Sequence, residues 1–224
     1  MSRHFVREID RLNKQIIDFG NQVEDQVKLA IRAVKNSDSE LASKVIQGDE
    51  KIDEFEVELE EECLKLLALH QPMAEDLRLI ISILKINNDL ERIGDHAVNI
   101  AERAVQLSRL DKLEIPPEIL ELNRQAKLML RKSLLALVEK DAVIATDVVR
   151  ADDQVDALNQ KMHYKITDRI KANPEFTEQQ ILFLSVCRQL ERIGDHACNI
   201  AEDVLYLLSG EIVRHTPQMV NEKP

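Results

Sequence analysis

Acidic pairs four positions apart stand at matching places in two stretches of this chain: Asp49 with Asp53 and Glu91 with Asp95, then Asp152 with Asp156 and Glu191 with Asp195. On a helix this spacing sets two like charges side by side, at a cost of roughly 0.2–0.5 kcal/mol per pair unless something neutralises them. A hard cation would do so. If the helices carrying the pairs lie next to each other, two pairs meet and offer four carboxylates, with Asn99 and Glu102, or Asn199 and Glu202, at the edge. All-oxygen sets of this kind suit Mg²⁺, Mn²⁺, Ca²⁺ or iron, and several carboxylates can bridge more than one ion. The competing reading is a solvated acidic face, which a single acidic stripe on a helix usually is. The same pairs written twice weigh toward a site.

The doubling is literal. Leu90-Glu91-Arg92-Ile93-Gly94-Asp95-His96-Ala97-Val98-Asn99-Ile100-Ala101-Glu102 recurs 100 residues later, from Leu190 to Glu202, with only Val98 replaced by Cys198. At about 100° per residue, Asn88, Glu91, Asp95, Asn99 and Glu102 fall within about 80° of one another on a helix. Leu90, Ile93, Ala97, Ile100 and Ala101 project from roughly the opposite side and form the buried face. The carboxylates are therefore expected to point away from the core of their own bundle. His96 and His196 lie about 100° around from the adjacent carboxylate stripe, and the Glu-x-x-His spacing of di-iron bundles is absent. They are expected to be exposed or partner-facing. Gly94 and Gly194 each cost about 1 kcal/mol inside a helix, which close helix packing would explain.

The elements that must position these residues are all helical. Glycine and proline are sparse, 5 and 6 in 224 residues, and no stretch alternates long enough for a sheet. The first helix is expected from His4 to Asn36. Ser37 and Glu40 have capping-box spacing for a second helix running to Leu69. His70 to Met73 forms a turn, and the third helix runs from Ala74 to Arg109. Lys112 to Pro117 joins the copies, Pro116 and Pro117 preparing a fourth helix from Glu118 to Glu139. The fifth is expected from Ala142 to Lys171. Asn173-Pro174 makes the second turn, and Thr177 with Gln180 has capping-box spacing for a sixth helix that ends at Ser209 before Gly210.

A shift of 103 residues aligns Asp38, Ala42, Val45, Asp49 and Asp53 with Asp141, Ala145, Val148, Asp152 and Asp156. The offset falls to 100 before Glu91, and a shorter hairpin in the second copy would absorb the difference. The chain thus reads as two tandem three-helix antiparallel bundles, residues 1–111 and 112–210, with a loose tail over 211–224. The copies differ where Glu60 corresponds to His163 and Asn88 to Arg188, so their metal content or affinity should differ.

Composition narrows the function. With 30 basic and 41 acidic residues the net charge is 30 − 41 = −11, so a polyanion such as DNA would be repelled. Two Tyr, five Phe and no Trp leave little for bases to stack on. Cys63, Cys187 and Cys198 are isolated and suit small apolar positions in a reducing cytoplasm. No segment approaches the roughly 20 apolar residues of a membrane span. Phosphate-binding glycine loops, GxSxG and HExxH are absent, so catalysis would have to come from bound metal.

Duplicated three-helix units with an acidic-x-x-x-Asp pair on the second helix and Glu-Arg-Ile-Gly-Asp on the third resemble the PhoU family of phosphate-transport and phosphate-signalling regulators. Gln71-Pro72-Met73-Ala74-Glu75-Asp76-Leu77-Arg78 is also similar to the family's first hairpin. The resemblance covers about residues 5 to 208. It implies multinuclear metal clusters, iron or zinc and otherwise magnesium or manganese, held by Asp49, Asp53, Glu91 and Asp95 and by Asp152, Asp156, Glu191 and Asp195. It further implies a non-catalytic cytoplasmic adaptor, often dimeric, linking the ATPase of the phosphate ABC transporter to a sensor histidine kinase and keeping the starvation response off when phosphate is plentiful. The rival readings are a metal-dependent phosphohydrolase and a helical scaffold without metal.

Overall fold

The computed structural model describes residues 3–212. The tail expected over 211–224 lies outside the described residues beyond Ile212. Six α-helices run through the described residues, with no strand among them: α1 Arg3–Asn36, α2 Ser39–His70, α3 Ala74–Leu107, α4 Pro117–Glu139, α5 Ala142–Ala172 and α6 Thr177–Ser209. The fold is a tandem helical bundle, and the expected helices are all present within a few residues of their expected ends.

The caps differ from expectation. Ser37 takes a left-handed conformation, φ 53°, which ends α1 and lets the Asp38 N–H donate to the Ala33 carbonyl at 3.0 Å. Asp38, not Ser37, then caps α2, accepting from the Leu41 N–H at 2.9 Å. The second copy repeats the device: Lys140 is left-handed at φ 51°, and Asp141 accepts from the Val143 and Ile144 N–H groups. A short carboxylate one residue after the reversal reaches the free N–H groups of the first turn. Thr177 does not cap α6 either. A 3₁₀ turn over Pro174–Phe176 leads in, and the Thr177 hydroxyl donates to the Pro174 carbonyl at 2.6 Å. Gln180, the other half of that expected box, is buried.

The register change falls in the second hairpin, as expected, and within it in the helix rather than in the turn. From the start of α3 at Ala74 to Glu91 is 91 − 74 = 17 residues, whereas from the start of α6 at Thr177 to Glu191 is 191 − 177 = 14. The hairpin of the second copy is shorter in its returning helix, by nearly one turn, while its connection is a residue longer.

One hydrophobic core runs through all six helices. α3 packs on α1, α2 and α6, and α6 packs on α4, α5 and α3, so the two motif-bearing helices form the central pair. They are antiparallel, since Lys85 meets Asp203, His96 meets Gln189 and Arg103 meets Ser185. At the edge of this arrangement α1 touches α4, where nearly buried Glu24 accepts from Arg131 at 2.7 Å and pairs with Lys127 at 3.6 Å. No helix among the described residues is long and apolar enough to cross a membrane.

Candidate metal centre

Side-by-side packing of α2 with α3, and of α5 with α6, brings the acidic pairs of each copy to one groove. In the second copy Asp156, Glu191 and Asp195 each offer an oxygen within 4.8 Å of the others, the only such gathering of three among the described residues. Asp152 lies half-buried at its inner end, with one carboxylate oxygen enclosed and without a hydrogen-bond partner. Asp49 has the same position in the first copy, and its Oδ1 is likewise enclosed and unpartnered. The glycines make this approach possible. A Cβ on Gly94 would stand 3.0 Å from Ile52 Cγ2 and 3.8 Å from Asp49 Oδ1, and one on Gly194 would stand 3.2 Å from Val155 Cγ1.

The crowding of like charge shows in the proton affinities. Burial first, then Asp195 and Asp156, push Asp152 up to about 6 from an ordinary 3.8. Burial, then Asp53 and Asp95, raise Asp49, and the Gln26 amide nearby opposes the rise. Glu91 and Glu191 are raised by burial and then by Asp95 and Asp195 respectively. Burial also raises Asp195. Arg92 leans on Asp95 at 3.1 Å and Glu91 at 3.5 Å, and Arg192 takes the matching place on Asp195 at 3.1 Å and Glu191 at 4.0 Å. Both arginines are exposed. Unpartnered buried acceptors normally find a donor, water or ion. Two orphan carboxylate oxygens, each backed by carboxylates from the neighbouring helix, fit an oxygen-preferring cation.

Not every residue singled out from the sequence faces a groove. Asn99 donates to the Asp95 carbonyl of its own helix at 2.9 Å, and Asn199 reaches across to Asp89 Oδ1 at 3.2 Å. Glu102 is exposed and pairs with Arg103 at 3.6 Å, while Glu202 is half-buried. The bond from Asn199 to the other motif helix draws it toward the seam between copies. The stripe is less outward than expected, because Glu91, Asp95, Glu191 and Asp195 are all partly covered.

His96 and His196 are neither exposed nor free. They face each other across α3 and α6 with ring centres 5.3 Å apart. His96 Nδ1 pairs with Gln189 Oε1 and His196 Nδ1 with Asp89 Oδ1, each at 2.8 Å. Asp89 and Gln189 were not signalled by any motif, although both directly precede the repeated string. Gln26 was missed as well. Its signal is a polar residue on the apolar stripe of α1, between Val23 and Val27.

In class this is a duplicated all-α protein whose two motif helices pair at the centre, with an acidic groove on either side. The chain belongs to the PhoU family: the family model described as "PhoU domain" matches residues 16–104 and 119–204. It is 38% identical over 218 residues to the phosphate-specific transport system accessory protein PhoU homolog of Pseudomonas aeruginosa, covering 96% of this chain and 89% of that one. To the homolog of the same description in Aquifex aeolicus it is 37% identical, with 97% of each chain covered. Its fold is similar to the crystal structure of PhoU from Pseudomonas aeruginosa, with TM-score 0.88 and 37% identity over 92% of this chain and all of that one. The phosphate transport system regulatory protein PhoU of Streptococcus pneumoniae superposes with TM-score 0.87 at 29% identity, covering 93% and 99%.

Proposed function

We propose that this protein is a metal-binding regulator of phosphate uptake and phosphate-starvation signalling. It acts in the cytoplasm as a non-catalytic adaptor, in dimeric form, between the ATPase of the phosphate ABC transporter and a sensor histidine kinase, and holds the starvation response off when phosphate is plentiful. The observation that carries the reading is the acidic groove present in both copies, each with an enclosed, unpartnered oxygen, Asp49 Oδ1 or Asp152 Oδ1, backed by carboxylates of the next helix. The relatives named as accessory proteins of phosphate-specific transport support the biological setting.

Asp49, Asp53, Glu91 and Asp95 would hold one ion or cluster, and Asp152, Asp156, Glu191 and Asp195 another, with iron, zinc, magnesium or manganese as the metal. A bound cation supplies the charge that four carboxylates lack and makes an acidic face able to dock a partner's own acidic or phosphorylated surface. The chain's own residues set the frame: α2 and α5 present the inner aspartates, α3 and α6 the outer pairs, and Arg92 and Arg192 yield.

A pull-down from phosphate-replete extract tests this, comparing wild type with the Glu91, Asp95, Glu191 and Asp195 quadruple alanine variant. The transporter ATPase or the sensor kinase should be recovered with wild type and lost with the variant. Recovery of neither, with both present in the extract, would sink the adaptor reading. Turnover of phosphate esters by metal-loaded protein, abolished by the same substitutions, would put a phosphohydrolase in its place.

A further inference from the structure

Gln26 is an unusual residue to find inside a helical core. Its relative exposure is 7%, it lies on α1 among Phe19, Val23 and Val27, and its amide occupies a gap between two glycines. A Cβ on Gly48 would stand 4.0 Å from its Nε2, and one on Gly94 3.4 Å from its Oε1. The Nε2 donates to the Val45 carbonyl at 3.3 Å, whereas the Oε1 is enclosed and has no partner. The atom next out from Gly94 is Asp49 Oδ1, itself enclosed and unpartnered. Two buried acceptors without a donor thus share one corner of the first acidic groove. Buried acceptors normally find a donor, a water or an ion, so the corner is built for something positive.

The second copy lacks the device. Met129 stands where Gln26 would be, since 26 + 103 = 129, and its Sδ would lie 3.7 Å from a Cβ on Gly194. Ala151 replaces Gly48 by the same shift. A thioether is a soft, weak donor and adds nothing for a hard cation.

We propose that Gln26 is a metal ligand of the first centre, giving its amide oxygen with Asp49 to a hard divalent cation, and that this makes the first centre the tighter Mn²⁺ site of the two. The inference rests on the reading that the acidic grooves bind cations. Amide and carboxylate oxygens together are the donor set of such ions. The methionine of the second copy leaves that centre with carboxylates alone at its inner end.

Mn²⁺ titration of the full chain tests it, following free ion by electron paramagnetic resonance, with circular dichroism and melting temperature recorded for every variant. Wild type should show a tight and a weaker class of site. Asp49→Asn should remove the tight class, and Asp156→Asn should alter only the weaker. Gln26→Met, which copies the second lobe, should weaken the tight class about tenfold while the weaker class stays as it was. Gln26→Glu, of similar size and with oxygen retained, should keep the tight class. Wild-type binding in Gln26→Met, alongside loss in Asp49→Asn, would overturn the role of Gln26 and leave the metal reading standing. Loss of the tight class in Gln26→Glu as in Gln26→Met would make Gln26 a spacer acting through its amide hydrogens, and the ligand assignment would fall. No Mn²⁺ binding by wild type would take down both readings together.

Discussion

The two copies hold their carboxylates in the same frame and back them differently. Asp49, Asp53, Glu91 and Asp95 match Asp152, Asp156, Glu191 and Asp195 one for one, and Arg92 and Arg192 lean on them alike. Behind and beside them the first copy has Gln26, Gly48, Glu56 and Glu60 where the second has Met129, Ala151, Asn159 and His163. At the seam, His196 pairs with a carboxylate and His96 with an amide. The difference teaches that the frame is a matter of helix spacing, which a duplication copies whole, while the residues behind it set how much negative charge each groove must carry. In the first groove Glu56 is raised by burial and by Glu60; the second has an asparagine there.

The largest effect expected from breaking this frame is on bound metal. Asp95→Ala with Asp195→Ala should lower metal content more than tenfold, by elemental analysis of protein purified without chelator, with helicity and melting temperature nearly unchanged. A collapse of folding instead would make the pairs structural and the comparison of centres moot.

The seam offers a sharper contrast. His196→Ala leaves Asp89, at 8% exposure, with Asn199 as its remaining donor, and should cost about 1–3 kcal/mol in chemical denaturation. His96→Ala strands only a neutral amide and should cost about 0.5–1.5 kcal/mol. Equal losses would mean that the two halves of the seam are energetically alike.

The glycines should separate the copies by less. Alanine gains about 1 kcal/mol of helix propensity at either site, but the new Cβ meets Ile52 at 3.0 Å in one and Val155 at 3.2 Å in the other. Gly94→Ala should therefore lose about 1 kcal/mol net, after overpacking of roughly 1–3 kcal/mol, and Gly194→Ala should come out near neutral. The reverse order would show that the second copy is the more tightly packed.

The smallest effect is that of pH on metal-free protein. Asp152 holds its proton more tightly folded, to about 6, than at its ordinary 3.8, so its contribution is present below pH about 4 and is lost as pH rises through about 6. Asp152→Asn should flatten that decline by on the order of 1 kcal/mol, since partial exposure screens the charge. Asp49→Asn should flatten it less, because the Gln26 amide nearby already favours the carboxylate. Metal binding runs the other way and should tighten as pH rises through 6 in the second centre.

Much of the fold was legible from the chain alone. The breaks at Pro72, Pro116 and Asn173 lie between the helices they were read to separate, because proline and turn residues act on their own backbone. The caps were misassigned for a related reason: Ser37 and Asp38 are both good cap residues, and only the left-handed turn at Ser37 decides which one faces the helix. The shorter hairpin of the second copy is legible from the alignment, which shows that an offset changes but not whether the turn or the returning helix absorbs it.

The sequence by itself determined the helices, the duplication and the pairing of carboxylates, all of which depend on residues a turn or a fixed offset apart. Only the tertiary structure decided that α3 and α6 pair antiparallel, that His96 and His196 meet there, and that the Gln26 Oε1 ends without a partner near Asp49. Those contacts join residues 93 and 107 positions apart at the seam and depend on which faces of separate helices meet. No local period carries that information. It is settled by burying every apolar stripe at once, and a polar residue caught in that packing, as Gln26 is, takes its neighbours from helices other than its own.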